Sequence, residues 1–416
     1  MVAKGYKINI VGAGISGLIA ALVLEKEGYT VTIYEGTDRA GGRIKTDNYD
    51  GYQLDHGFQV LLDAYPMARK YLDLESLSLQ KFLPGAVIFK DGKKKTLGDP
   101  LRNLSLLFPT LISNIGNFSD KFKILKLNLE LKRMSIEQVF SSRETSTLTY
   151  LKEKGFSNDI IFSFFKPFFS GIFLEPNLET SSRMFQFVYK MFGEGLAVLP
   201  KSGIGAITDQ LVARLKRSKI HFNTPVRKVL EGKLILADGQ ELQSQYTIIA
   251  AEVSDLIPDF KKESAMWKGC DAFYFTTPKR IIGPPLIGLI ADKAALINNL
   301  FYHTSLEMEN RGERELLSVT VVKQHHLSET ELLKKIISDL ETYCGITEVA
   351  FLKRYHIKNA LPQLTNLKYS ITPEQTQISP TIFLAGDHKL YGSLNAAMTT
   401  GEMAAKEIFK HINKGS

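Results

Sequence analysis

The sequence predicts a mixed α/β plus α+β protein in which a domain built on a parallel sheet is interrupted by an inserted second domain. Three observations carry this. A strand, a glycine-rich turn, a helix and a second strand follow one another from Tyr6 to Tyr34. Near the other end, the apolar run Thr381 to Ala385 leads through Gly386 and Asp387 into the helical stretch Met398 to Phe409. Between them lie aromatic-rich helical stretches and strand-like runs, and 416 residues suggest two or three domains at about 150 residues each.

Tyr6 to Val11 reads as a short buried strand, followed by Gly12, Gly14, Ile15, Ser16 and Gly17 in a G-x-G-x-x-G arrangement that opens the helix Leu18 to Glu27. In that context Gly12 permits the tight turn. Gly14 lets a pyrophosphate approach the backbone, and Gly17 allows close packing of helix on strand. Free amides and the positive dipole end at the helix start favour the phosphates. The strand Thr30 to Tyr34 ends in Glu35, about 20 residues past the third glycine, where a carboxylate accepts both ribose hydroxyls. An acid at that place argues against a 2′-phosphate, and so against NADP, but does not separate NAD from FAD.

The chain continues through Arg39, Gly41, Gly42 and Arg43 to Leu54, Asp55, His56, Gly57, Phe58, Gln59 and Val60. This run resembles the double-glycine and arginine segment of the FAD-dependent amine oxidase superfamily, which includes flavin amine oxidases, protoporphyrinogen oxidases and phytoene desaturase-like proteins. Two glycines give a second close backbone approach, and Arg39 and Arg43 offset pyrophosphate charge through directed donors. The resemblance extends to Gly386 and Asp387, then Ser393, Leu394, Asn395, Ala396 and Ala397. It implies that the acid meets the ribityl chain and that the last helix points its N-terminus at the flavin. Val226, after Thr224 and Pro225 in the strand-like His221 to Val226, is the implied adenine contact. Gly57 to Val60 form the implied flavin-facing segment. No second strand-anchored glycine motif follows, so a separate nicotinamide domain is not expected.

The resemblance thus implies a discontinuous, Rossmann-like FAD-binding domain made of residues 1–75, 196–262 and 375–416. The inserted substrate domain comprises a helical cap at 76–195 and a sheet at 263–374, with strands at Ala272 to Thr277, Leu286 to Ile290 and Leu317 to Val322. The phenylalanines from Phe162 to Phe173, with Met184, Phe185 and Phe187, read either as core or as the lining of a pocket for an apolar substrate. Pro167 to Phe173 and Ala360 to Gln363 resemble desaturase and protoporphyrinogen-oxidase-like members more than amine oxidases.

Composition narrows the class. A 44% apolar, 23% charged chain is globular rather than disordered. The net charge of +8 is scattered and no nucleic-acid module is present, so no nucleic-acid partner is expected, while peripheral membrane contact stays open. The apolar stretches Leu104 to Ile112 and Ile281 to Ile297 are too short or too interrupted for the roughly 20 apolar residues of a membrane span. The motif begins so early that no signal peptide is expected. Cys270 and Cys344 provide neither a disulfide framework nor a zinc site, and no metal is expected. A reducing, cytoplasmic setting fits.

The chemistry implied is removal of two hydrogens from a carbon centre of an apolar or polycyclic small molecule, with hydride passing to flavin N5. His56 and Lys358 are the candidate catalytic residues, with His388 a further candidate base. The aromatic residue that amine oxidases carry shortly before the terminal Gly-Ala pair is replaced here by Ser393, Leu394 and Asn395, with Tyr391 out of register. Both cysteines are expected to lie far from the flavin, so FAD is expected to bind noncovalently. A flavin amine oxidase, a non-redox flavin mutase and an escort-type binding protein without flavin are the alternatives.

Overall fold

The computed structural model describes residues 4–99, 103–106, 110, 113–254, 256–257 and 266–414. Five strands form a wholly parallel sheet in the order Lys219–His221, Tyr29–Tyr34, Lys4–Val11, Tyr246–Ile249, Ile382–Leu384. Both faces of this sheet are covered, and Tyr246–Ile249 and Ile382–Leu384 are near-continuous buried runs, whereas Tyr29–Tyr34 nearer the edge alternates. On one face lie the helices Ile15–Lys26 and Leu394–Lys414. Gly401 lets them cross closely: a Cβ there would stand 2.2 Å from the Ser16 carbonyl oxygen. On the other face, Val229 and Leu234 of an antiparallel three-stranded sheet pack against Val11, Ile249 and Leu384. Distant stretches of the chain therefore meet in one layer and bring their strand ends to one edge.

A second, seven-stranded sheet runs in the order Ala350–Gln363, Met266–Thr277, Glu315–Val321, Asn299–Tyr302, Ile287–Ile290, Gly85–Lys90, Lys93–Gly98. The helix Glu329–Cys344 begins at a Ser328/Glu331 capping box and buries Leu332, Ile336 and Leu340 against it. Gly85–Lys90 and Lys93–Gly98 correct the sequence expectation, which assigned 76–195 to the helical cap. They form a hairpin at the sheet edge because Asp91 and Gly92 both adopt positive φ, 52° and 66°, in the Asp-Gly turn that suits a two-residue hairpin loop. The expected strand His221 to Val226 is likewise divided. Asn223 takes φ 52°, and the chain turns between Lys219–His221 and Val226–Leu230.

Among the described residues, the inserted segment also contains the short strand Gln80–Lys81 and the helices Phe118–Arg133, Ile136–Ser141, Thr147–Glu153, Lys166–Phe173 and Ser182–Glu194. Asn117, Ser135, Ser146 and Ser181 cap four of these helices through side-chain acceptors. Positions 107–109 and 111–112 of the apolar stretch Leu104 to Ile112 lie outside the described residues. Among the described residues, no helix is long and apolar enough to cross a membrane.

Candidate functional site

The glycine turn is shaped by its neighbours. Gly12 has φ 100°, and a Cβ there would meet the Ala250 carbonyl oxygen at 2.8 Å. A Cβ on Gly17 would fall 2.1 Å from the Gly12 oxygen, so only glycine lets the helix sit on its own turn. Gly14 differs: nothing lies within 4 Å of its Cβ position, which leaves the backbone open on that side. Gly42, at φ 58°, stands across the opening with its Cβ position 3.5 Å from Gly14 Cα, and the Gly41 amide donates to the Ala13 carbonyl at 3.0 Å. Two glycine turns thus face one another as a cradle. The helix behind it has no side-chain N-cap bond and no acid in its first turn, so its amides and dipole favour an anion. Glu35 closes one side. Its buried carboxylate accepts from the Ala13 amide at 2.8 Å and from the Thr37 amide at 3.0 Å.

Arg43 ties the first segment to the last. It donates to Asp387 at 2.5 and 3.0 Å and to the Ala360 carbonyl at 3.1 Å, with its guanidinium 5.1 Å from the Trp267 ring centre. Burial opposes this charge, and Asp387 more than offsets it, so Arg43 holds its proton above the ordinary arginine range. Gln59 Nε2 donates to the carbonyls of Arg43 and His56, both at 2.9 Å, which locks the two loops together. Gly57, at φ 93°, comes so near the second sheet that a Cβ would touch Ile357 Cδ1 at 3.0 Å. His56 packs against Tyr355 with ring centres 4.5 Å apart and the rings tilted by 33°, and burial lowers its pKa while Asp47 works the other way.

These residues border one cavity of 1910 Å³. Gly12, Gly14, Ile15, Ser16, Glu35, Gly42 and Arg43 line one end, and Gly57, Phe58, Gln59, Val60, Gly386, Asp387, Ser393, Leu394 and His56 line it further on. Other expected residues sit elsewhere. Arg39 pairs with Asp47 and is half-exposed. Val226 is half-buried and packs against the cluster beneath the parallel sheet, and Ala396 is buried inside its helix, where its amide donates to Ser393 Oγ at 3.1 Å. Lys358 is corrected outright: it is exposed and does not line the cavity, whereas its neighbours Ile357 and Asn359 do, because side chains alternate across a strand.

The far part of the cavity is an aromatic chamber. Phe164, Phe168, Phe169, Phe173, Tyr189 and Phe192 line it, while Phe165, Phe185 and Phe187 pack behind them in the core. The strand Met266–Thr277 supplies a wall that the sequence did not reveal as such: Trp267, Lys268, Cys270 and Asp271. Lys268 donates to the Phe173 carbonyl and to Thr180 Oγ1, each at 3.2 Å, and burial lowers its pKa. Asp271 takes Arg354 Nε at 2.8 Å and lies 3.0 Å from His356 Nδ1. A lysine inside an apolar strand was the signal available for this wall. Cys270 corrects the expectation of a remote cysteine, since it lines the cavity in register with Ile357. Burial pushes its thiol up to about 12, so it is a poor nucleophile.

The sequence profile of flavin containing amine oxidoreductases matches residues 15–409. The chain belongs to that family. An L-amino-acid oxidase from Trimeresurus stejnegeri is 32% identical over 158 residues, which are 36% of this chain and 31% of that protein. The chain therefore matches about a third of the length of such curated relatives. A putative protoporphyrinogen oxidase from Exiguobacterium superposes with a TM-score of 0.69 at 17% identity, covering 99% of this chain and 100% of that one. A putrescine oxidase bound to putrescine superposes with 0.70 at 17% identity, covering 97% and 99%. These structural likenesses concern the fold.

As a member of this family, the chain has residues that fit a flavin cofactor. The open backbone at Gly14, the facing Gly42 and the uncapped helix form an anion cradle that a Cβ would fill, and the cavity extends from it to both Asp387 and Gly57. Tyr391 does reach the cavity, yet it is 2% exposed and stacked with Tyr369, and its hydroxyl accepts from Asn395 at 2.6 Å. It is a wall of the aromatic cluster.

Proposed function

We propose that this amine oxidoreductase binds FAD noncovalently and dehydrogenates a carbon centre of an extended, largely apolar small molecule. One observation carries the reading: a single cavity joins the glycine cradle to the aromatic chamber. Its 1910 Å³ exceeds the roughly 300–1,000 Å³ of an ordinary small-molecule pocket, leaving space for a substrate beside a dinucleotide. The Cys270 thiol, which burial pushes up and so keeps protonated, supports noncovalent binding, and the two free cysteines suit a reducing, cytoplasmic setting.

Held by the glycine cradle, a flavin would supply a hydride acceptor at its N5. The protein does the rest. The aromatic walls exclude water and orient an apolar molecule. The N-terminus of Leu394–Lys414 lies at the cavity beside Asp387 and favours negative charge there. The second hydrogen leaves the substrate as a proton, and we assign its acceptance to His56, a reading supported by its place on the cavity lining and by burial, which holds it toward its neutral form. A second reading, an amine oxidase, draws on Glu175 and Glu179, carboxylates on the chamber wall that could take an ammonium group.

The test is the absorption spectrum of purified protein, then anaerobic mixing with polyenes, porphyrinogens and amines. Bleaching by a polyene or porphyrinogen supports the proposal. Bleaching by amines alone replaces it with the second reading, and a colourless protein that binds no added FAD refutes both.

A further inference from the structure

The helix Phe118–Arg133 has an outward face that no described part of the chain covers. Phe118 and Phe122 are 80% and 68% exposed, and Leu125 and Leu129 are 36% and 49% exposed. Their spacing places all four on one face of an α-helix. The opposite face is buried through Asp120, Leu127 and Leu131, so the helix is anchored with its apolar stripe pointing out. Lys126, Lys132 and Arg133 flank the stripe, are exposed and have no ion pair among the described residues. The acids of this helix are already engaged: Asp120 in the capping box with Asn117, and Glu130 with Lys154 at 2.6 Å. What the face presents is apolar surface bordered by positive charge.

We propose that this face docks on an anionic lipid bilayer, with Phe118, Phe122, Leu125 and Leu129 seated in the interfacial region. A helix with one apolar face and a basic border lies in the plane of such a membrane without crossing it. The basic border and the net charge of +8 complement anionic headgroups, whereas a second copy would set the same basic residues against each other. Lys121, Ile124, Leu125 and Asn128 of this helix also line the cavity, and Leu125 belongs to both surfaces. Docking therefore brings this wall of the chamber to the bilayer, where an apolar substrate is dissolved. This last step rests on the proposed substrate class, and docking itself does not.

The experiment is co-sedimentation of the flavin-loaded protein with vesicles of phosphatidylcholine alone and of phosphatidylcholine with phosphatidylserine in equal parts, without substrate. Retention on the anionic vesicles, weakened by salt, is expected. The F118S/F122S variant is expected to bind them about a hundredfold more weakly, about tenfold per phenylalanine. K126E/R133E is expected to lose the preference for phosphatidylserine. All four side chains are exposed, and unchanged flavin content and melting temperature verify folding. No retention of wild type, equal retention on both vesicle types, or F118S/F122S binding like wild type overturns the proposal. A wild-type dimer that F118S/F122S dissolves, without vesicle binding, overturns it in favour of a second copy.

Discussion

Gly14→Val separates cofactor binding from folding. The Gly14 backbone has φ −73° and ψ 178°, which any L-residue adopts, and no atom lies within 4 Å of the added Cβ. The fold loses almost nothing. The space filled, however, is the approach to the Ile15 and Ser16 amides, whose bonds to a phosphate are charge-assisted and worth about 1.5–3 kcal/mol each. Losing both costs about 3–6 kcal/mol, or roughly a hundredfold to ten-thousandfold in FAD affinity. The assay is fluorescence titration of deflavinated protein with FAD, alongside melting of both flavin-free forms. Wild-type affinity in the variant would refute the placement of the pyrophosphate, and a large drop in flavin-free melting temperature would refute the claim of free space.

Other outcomes follow from the same geometry. Gly17→Ala drives a methyl into the Gly12 carbonyl at 2.1 Å, so urea unfolding should show a loss of about 3 kcal/mol or more even without cofactor. Burial raises Asp55 to about 6. Between about pH 4 and pH 6 the folded state then holds a proton that the unfolded state has released, so this group's contribution to stability falls as pH rises through that window. Asp55→Asn keeps an acceptor for Thr46 and Ile204. It should flatten that slope and add about 2–3 kcal/mol above it, and an unchanged slope in urea unfolding across pH would contradict the assignment. His56→Gln should retain FAD yet slow flavin reduction by about 10²–10⁴-fold, as for loss of a general base, and stopped-flow reduction at the wild-type rate would remove His56 from the chemistry.

The cradle was legible because each residue answers a local demand. Gly12, Gly17 and Glu35 act within one strand–turn–helix–strand unit, and the double glycine at Gly41 and Gly42 follows at once. The chamber wall was not legible. Trp267, Lys268 and Asp271 face the cavity because Met266–Thr277 pairs with both Glu315–Val321 and Ala350–Gln363, pairings between stretches far apart in sequence. Lys358 shows the same limit from the other side. It lies in the strand Ala350–Gln363, where one residue of register decides which side chain looks inward, and the cavity received Ile357 and Asn359.

The sequence by itself determined the paired glycine turns, since those turns depend on φ angles and missing Cβ atoms within a few neighbouring residues. Only the tertiary structure decided what shares the cavity with them. It joined Arg43 to Asp387, brought Cys270 to the wall, divided the phenylalanines between lining and core, and left the stripe from Phe118 to Leu129 facing outward. These are outcomes of which surfaces bury one another, and hydrophobic burial is non-directional, so composition alone leaves the choice open.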